Sequence, residues 1–173
     1  MKIYKKNYGG EVEEVLNMDG GELDLSSTAA GGVIRRYNTN KKSNEILLIQ
    51  RSKDSRWQLQ WEIPRGKCDK EAKYTKGKLN NLSIAQLILI GLKREIKEET
   101  GLDVRAIKLI EKFGYLFPDG IKIQYIFLCK MDDPKQNVQI SFEHNDYKWI
   151  SSLNEAKSLN VPEELITILS KIF

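Results

Sequence analysis

Three glutamates, Glu95, Glu98 and Glu99, follow Arg94 at offsets of one, four and five residues. On a helix they share one side, within an arc of about 100° beside an apolar stripe. Like charges at this spacing repel, by a few tenths of a kcal/mol per pair even when exposed (~0.2–0.5). Near apolar packing the cost rises unless a cation neutralises them. A hard divalent ion with oxygen ligands is the natural partner, and magnesium commonly brings substrate phosphate with it. Arg94, four residues before Glu98, can hold that carboxylate by an ion pair. A solvated helix face is the plainer reading of such glutamates; the surrounding pattern decides against it.

The element that must carry them is the clearest in the chain. Ser83 with Gln86 three residues on forms a capping-box pattern, Ala85, Ile88, Leu89, Leu92 and Ile96 recur at helical spacing, and Gly101 is placed to stop the helix. A helix over residues 83–100 is expected, with strands around it. Residues 29–37 and 45–51 flank an Asn/Lys/Ser turn and read as a hairpin; residues 104–117 and 121–131 flank Pro118-Asp119-Gly120. Residues 57–63 form an aromatic-rich stretch ended by Pro64. Short strands are expected at residues 138–142 and 147–150, then helices at residues 153–159 and 162–172. Residues 1–27 are polar and read as an N-terminal extension, leaving residues 28–173 as one domain. Hairpins interspersed with helices predict a mixed α/β sandwich.

The bulk properties suit that picture. A chain of 173 residues fits one core-forming domain. No apolar run approaches the roughly 20 residues of a membrane helix, and the basic start lacks the apolar stretch of a secretory signal. Cys68 and Cys129, the only cysteines, form no metal-type pair, so unbridged thiols and a cytoplasmic location are expected. A net charge of +4 from 28 basic and 24 acidic side chains is too balanced to indicate nucleic acid by bulk electrostatics. The distribution is more telling: Lys67, Lys70, Lys73, Lys76 and Lys78 crowd one segment, as the glutamates crowd another. That basic loop reads equally as a phosphate-binding flap or as solvated surface.

The string Arg94-Glu95-Ile96-Lys97-Glu98-Glu99-Thr100-Gly101-Leu102 resembles the second half of the Nudix box. Trp61-Glu62-Ile63-Pro64-Arg65-Gly66-Lys67 resembles the strand and glycine turn that open it. The resemblance covers residues 28–173. It implies an α/β/α Nudix sandwich with a mixed sheet and a catalytic helix. It further implies that Glu95, Glu98 and Glu99 are metal-binding or base carboxylates, that the Gly66 carbonyl is a metal ligand, and that Arg94 orients a glutamate. The chain departs from the family between the halves. Gly66 to Arg94 is about twice the usual spacing, and Gln86 stands at the usual place of a further glutamate. Ser83 makes Gln86 a helix-cap residue, which leaves Glu71 or Asp69 to supply the missing carboxylate from the loop, with Glu71 ranked first.

A second local resemblance is to the diadenosine tetraphosphate hydrolases. It rests on Ser141-Phe142-Glu143-His144-Asn145-Asp146-Tyr147-Lys148-Trp149, on Leu153-Asn154-Glu155-Ala156, and on Pro64-Arg65-Gly66-Lys67. It implies Glu143 as an additional metal or base carboxylate and His144, the only histidine, beside the phosphates, although a lone histidine is more often structural. Tyr125 and Tyr147 are candidates for stacking a nucleobase, against a core or hairpin role. Lys67 is a candidate for holding distal phosphates, and Trp149 is assigned to the core.

The implied reaction is hydrolysis of a phosphoanhydride with Mg2+, or Mn2+ as substitute. The metal would neutralise phosphate oxygens and activate water for in-line attack, with Glu143 or Glu98 taking the proton. The best match is asymmetric cleavage of diadenosine tetraphosphate to ATP and AMP. Nucleoside triphosphates, diphosphoinositol polyphosphates and RNA 5′ ends are alternatives, and a non-catalytic nucleotide sensor is the alternative of another class. A nucleoside polyphosphate is the expected small-molecule partner, for a monomer or homodimer with no membrane partner.

Overall fold

The computed structural model describes residues 2–6, 12–17, 27–55, 57–68, 83–117 and 120–173, the first two segments in backbone only. The strands in chain order are β1 (Lys2–Lys6), β2 (Val12–Asn17), β3 (Thr28–Asn38), β4 (Ser43–Arg51), β5 (Trp61–Glu62) and β6 (Arg65–Lys67). Helix α1 (Ile84–Thr100) follows, then β7 (Val104–Phe117), β8 (Gly120–Met131), β9 (His144–Ile150), α2 (Leu153–Lys157) and α3 (Glu163–Leu169). Among the described residues the strands form one mixed sheet, ordered β2-β1-β7-β8-β3-β4-β5, with β6 also pairing β3 and β9 also pairing β4. The β1–β7 and β3–β8 pairs are parallel and the remainder antiparallel.

The β3–β4 hairpin places apolar side chains alternately on the two faces, as a period of two demands. Ile34, Leu47 and Ile49 face a core shared with Leu87, Ile88, Leu92 and Ile96 of α1. Val33, Ile46 and Leu48 face the other core, closed by Ala156, Leu165, Ile166 and Leu169 of α2 and α3. The sheet is thus covered on both sides, the α/β/α sandwich expected.

Strand β3 sets the geometry of the site. Along one edge it runs beside β8 from Thr28 to Arg35. Along the other it pairs β6 at Ala29–Gly31 and then β4 at Arg35–Asn38. The strands splay between these two pairings, and β6 enters there with its glycine under α1.

Helix α1 begins and ends on local signals. Ser83 Oγ accepts from the Gln86 N–H at 3.3 Å, and the Ser83 N–H donates to Gln86 Oε1 at 2.7 Å. At the other end Gly101 takes φ 71°, a left-handed conformation that favours glycine, and its N–H reaches the Lys97 carbonyl at 2.9 Å.

Several expectations are corrected. Residues 138–142 are not a strand: Gln139 and Ser141 give their N–H groups to the carbonyls of Thr100 and Glu99, at 2.8 and 3.1 Å, so the C-terminal end of α1 takes the donors a ladder would need. Ala85 is exposed rather than part of the buried stripe, whose first members are Leu87 and Ile88. The final helices are shorter than expected because Ser158 and Ser170 end them. Residues 2–6 and 12–17, read as polar extension, form β1 and β2, with β1 joined to β7. No helix among the described residues is long and apolar enough to cross a membrane. Cys68 and Cys129 are both buried and not bridged to each other.

Candidate active site

The carboxylate face of α1 packs against β6. Gly66 permits this approach: a Cβ there would stand 2.1 Å from both Cδ and Oε2 of Glu95. Arg94 ties the two elements together. Its Nη1 donates to Glu95 Oε1 at 2.6 Å and to Glu98 Oε2 at 3.0 Å, while Nη2 donates to the Lys67 carbonyl at 2.8 Å. The Arg94–Glu98 pairing read from the spacing is present, and one guanidinium orients two carboxylates and the glycine turn together.

Glu99 points inward. It is 8% exposed, and its Oε2 accepts the Arg65 N–H at 2.9 Å. Burial, then the neighbouring carboxylate of Glu62, pushes its pKa up to about 8; Glu95 acts in the same sense, against the Arg65 N–H and Arg51. His144 lies on the far side, its buried Nε2 3.9 Å from Glu99 Oε1 and without a hydrogen-bond partner, while Nδ1 and Ser141 Oγ are 3.1 Å apart. Burial lowers the His144 pKa. His144 therefore sits behind a buried glutamate, not on an open phosphate-facing surface.

Glu62, Arg51 and Arg65 are site residues that sequence reasoning missed. Glu62 is 2% exposed. It accepts from Arg51 Nη1 and, at 3.1 and 2.9 Å, from Arg65 Nε and Nη2. Burial works against the Arg65 charge, and Glu62, Tyr115 and Glu164 together outweigh it and raise its pKa. A charged residue alternating with Trp61 and Ile63 before Pro64 was the available signal, because a strand buried on both faces admits glutamate only beside a cation.

The other predicted residues scatter. Lys67 is exposed on β6, beside the Arg94 contact. Glu143 is exposed in the turn before β9, its carbonyl held by the Ser52 N–H at 2.9 Å. Tyr147 is 42% exposed on β9, opposite Ile49. Tyr125 is buried in the core under α1, which removes its ring from open stacking. Trp149 packs against the same core, with the Arg36 guanidinium 4.0 Å from its ring centroid. Gln86 is engaged in the helix cap, and Glu71 and Asp69 lie outside the described residues.

Among the described residues no three acidic, histidine or cysteine side chains already converge as a metal cage. The donor set nevertheless fits a divalent cation. Burial first, then the nearby carboxylates of Glu62 and Glu95, disfavours the charged form of Glu99, which a cation would relieve, and hard oxygen donors are what magnesium and manganese select.

A sandwich with a splayed mixed sheet and a carboxylate helix locked to a glycine turn by an arginine defines the Nudix class. The chain belongs to that family: the NUDIX domain model matches residues 27–167, and the protein is a Nudix hydrolase. Among solved structures it is similar to an Ap4A hydrolase from C. elegans, at 25% identity over 84% of this chain and 93% of that one, TM-score 0.60. It also matches the NUDIX domain of Shewanella oneidensis NrtR complexed with ADP ribose, at 20% identity over 83% and 86%, TM-score 0.57. A NUDIX hydrolase from Alicyclobacillus acidocaldarius shares 18% identity over 83% and 89%, TM-score 0.63. The last two likenesses concern the fold. No curated protein matches the chain.

Proposed function

We propose that this hydrolase cuts a phosphoanhydride bond in a nucleoside polyphosphate with the aid of magnesium, and that diadenosine tetraphosphate, cut asymmetrically to ATP and AMP, is its best substrate. The observation that carries the reading is the Arg94 clamp, which holds Glu95 and Glu98 against the Gly66–Lys67 turn. The likeness to the C. elegans Ap4A hydrolase and the Ser141–Trp149 segment support the choice of substrate.

Glu95, Glu98, Glu99 and the Gly66 carbonyl would hold the metal. Bound there, magnesium or manganese would neutralise non-bridging phosphate oxygens and lower the pKa of a water. Glu98, half exposed and steered by Arg94, takes the proton from the attacking water; Glu143 is the alternative base, supported by its exposure beside β9. Lys67 meets the phosphates from the turn, and the exposed ring of Tyr147 is the stacking candidate that burial does not remove. A monomer or homodimer and a cytoplasmic setting belong to the same proposal, the last supported by two buried unbridged thiols.

The test is magnesium-dependent turnover of diadenosine tetraphosphate, nucleoside triphosphates, diphosphoinositol polyphosphate and 5′-triphosphorylated RNA, with Glu98→Gln as control. Release of ATP and AMP from the dinucleotide, lost in Glu98→Gln, is the expected result. Faster cleavage of another member of the panel would reassign the substrate.

A further inference from the structure

A chain of polar contacts runs from α3 through the sheet to the carboxylate site. It starts at Glu164 in the first turn of α3, whose Oε1 accepts from the Tyr115 hydroxyl at 2.9 Å. Tyr115 lies on β7, buried in the core that Leu165, Ile166 and Leu169 of α3 close. Phe113 meets its ring edge-on, with centroids 5.4 Å apart, so packing fixes where the hydroxyl points. The Arg65 guanidinium hydrogen-bonds that same hydroxyl, besides donating to Glu62 Oε2 and to Gln124 Oε1, both at 3.1 Å. The Glu164 charge also acts on Arg65 and favours its charged form.

Arg65 is where the two faces of the sheet meet. Its side chain is anchored to Tyr115 in the α3 core, whereas its N–H donates to Glu99 Oε2 of α1 at 2.9 Å. The next residue is Gly66, whose α-carbon lies against Glu95. A guanidinium so placed is costly to move, because each bond lost leaves a desolvated N–H. Of its partners, Tyr115 is the one held by a packed aromatic ring. Displacement of the Arg65 side chain therefore passes to its own backbone, and from there to Glu99 and the glycine turn.

Resting on the hydrolase reading above, we infer that Tyr115 and Glu164 are positioning residues for the hydrolytic site. From the opposite face of the sheet they fix Arg65, and through its backbone they fix the Glu99 carboxylate and the Gly66 turn. Helix α3 is thus a support of the site as well as a cover for the core.

The test uses the full chain, and its first readout needs neither metal nor substrate. In 15N-labelled protein kept in chelator, hydrogen exchange at the Arg65 N–H is compared with that at the Gln139 N–H, which the Thr100 carbonyl holds at 2.8 Å. Tyr115→Phe and Glu164→Ala should each raise this ratio by about fivefold or more, as local opening would. Leu165→Ala, which strips apolar packing from the same helix, should lower Tm and leave the ratio unchanged. The second readout is kinetic. Tyr115→Phe and Glu164→Ala should lower kcat by about tenfold with little change in KM, the pattern of lost alignment. Glu164→Gln keeps the accepting oxygen and should restore most of that kcat, and Leu165→Ala should retain it while folded. A wild-type exchange ratio in both Tyr115→Phe and Glu164→Ala, or a wild-type kcat in both, overturns the inference. Turnover by the wild type with an unmoved ratio in the variants sinks this inference alone. A raised ratio in a chain that turns over no nucleotide leaves the Tyr115–Arg65 brace standing and removes the proposed reaction.

Discussion

The α-carbon of Gly66 lies against the carboxylate of Glu95, so close that no side chain fits between them. This contact joins two stretches of chain on either side of residues 69–82, and it brings the β6 turn to the carboxylate helix. Gly66→Ala should push Glu95 away from the turn. Overpacking of this kind costs about 1–3 kcal/mol, and displacing a catalytic group by an ångström can cost on the order of a hundredfold in rate. The expected result is a folded protein with a lowered Tm and kcat reduced by about two orders of magnitude. Wild-type kcat in Gly66→Ala would show that the contact is unnecessary for turnover.

Arg94 makes three contacts with one planar group, which a lysine cannot reproduce. Arg94→Lys should therefore retain the charge but lose the alignment of Glu95 and Glu98. A drop in kcat of roughly 10–100-fold with less change in KM is expected, since misalignment acts on the reacting geometry. Steady-state kinetics on the best substrate would check it, and a variant with unaltered kcat would remove the orienting role.

Metal addition should stabilise the protein through its carboxylates. At a concentration near 100 times Kd a ligand adds about 2.7 kcal/mol, which for a chain of this length raises Tm by several degrees, roughly 2–4 °C per kcal/mol. Differential scanning fluorimetry with magnesium and with manganese should show the rise in the wild type and a much smaller one in Glu95→Gln or Glu98→Gln. Equal rises in all three proteins would place the metal elsewhere.

Away from the site, Glu45 is 1% exposed and bonded to Arg36 and Lys41 at 2.7–2.9 Å. Burial alone would raise its pKa, but hydrogen bonds from Lys41, Arg36 and Asn38 outweigh this and lower it. A folded-state pKa below the unfolded value means the unfolded chain binds more protons on acidification. The stabilisation is thus present above the ordinary carboxylate range and is lost as pH falls through the lowered folded pKa. Urea midpoints measured from pH 7 to pH 3 should fall less steeply in Glu45→Gln than in the wild type. At neutral pH that variant should be less stable by about 1–3 kcal/mol. Parallel midpoint curves would show that Glu45 does not contribute to the acid limb.

The parts of this protein that its sequence determined are those written in short-range geometry. Helix α1 is legible because Ser83, Gln86 and Gly101 satisfy or terminate it within one turn of themselves. The hairpin of β3 and β4 and the shared face of Glu95, Glu98 and Glu99 follow equally from periods of two and 3.6 residues. Tertiary structure decided what depends on distant partners. Parallel pairing carried β1 onto β7 across a hundred residues, and the carbonyl end of α1 took the donors of residues 138–142. Burial closed over Tyr125, and packing set Glu62 between Arg51 and Arg65. Backbone hydrogen bonds and charges must be satisfied wherever the fold buries them, and which group satisfies them is known only once remote segments meet.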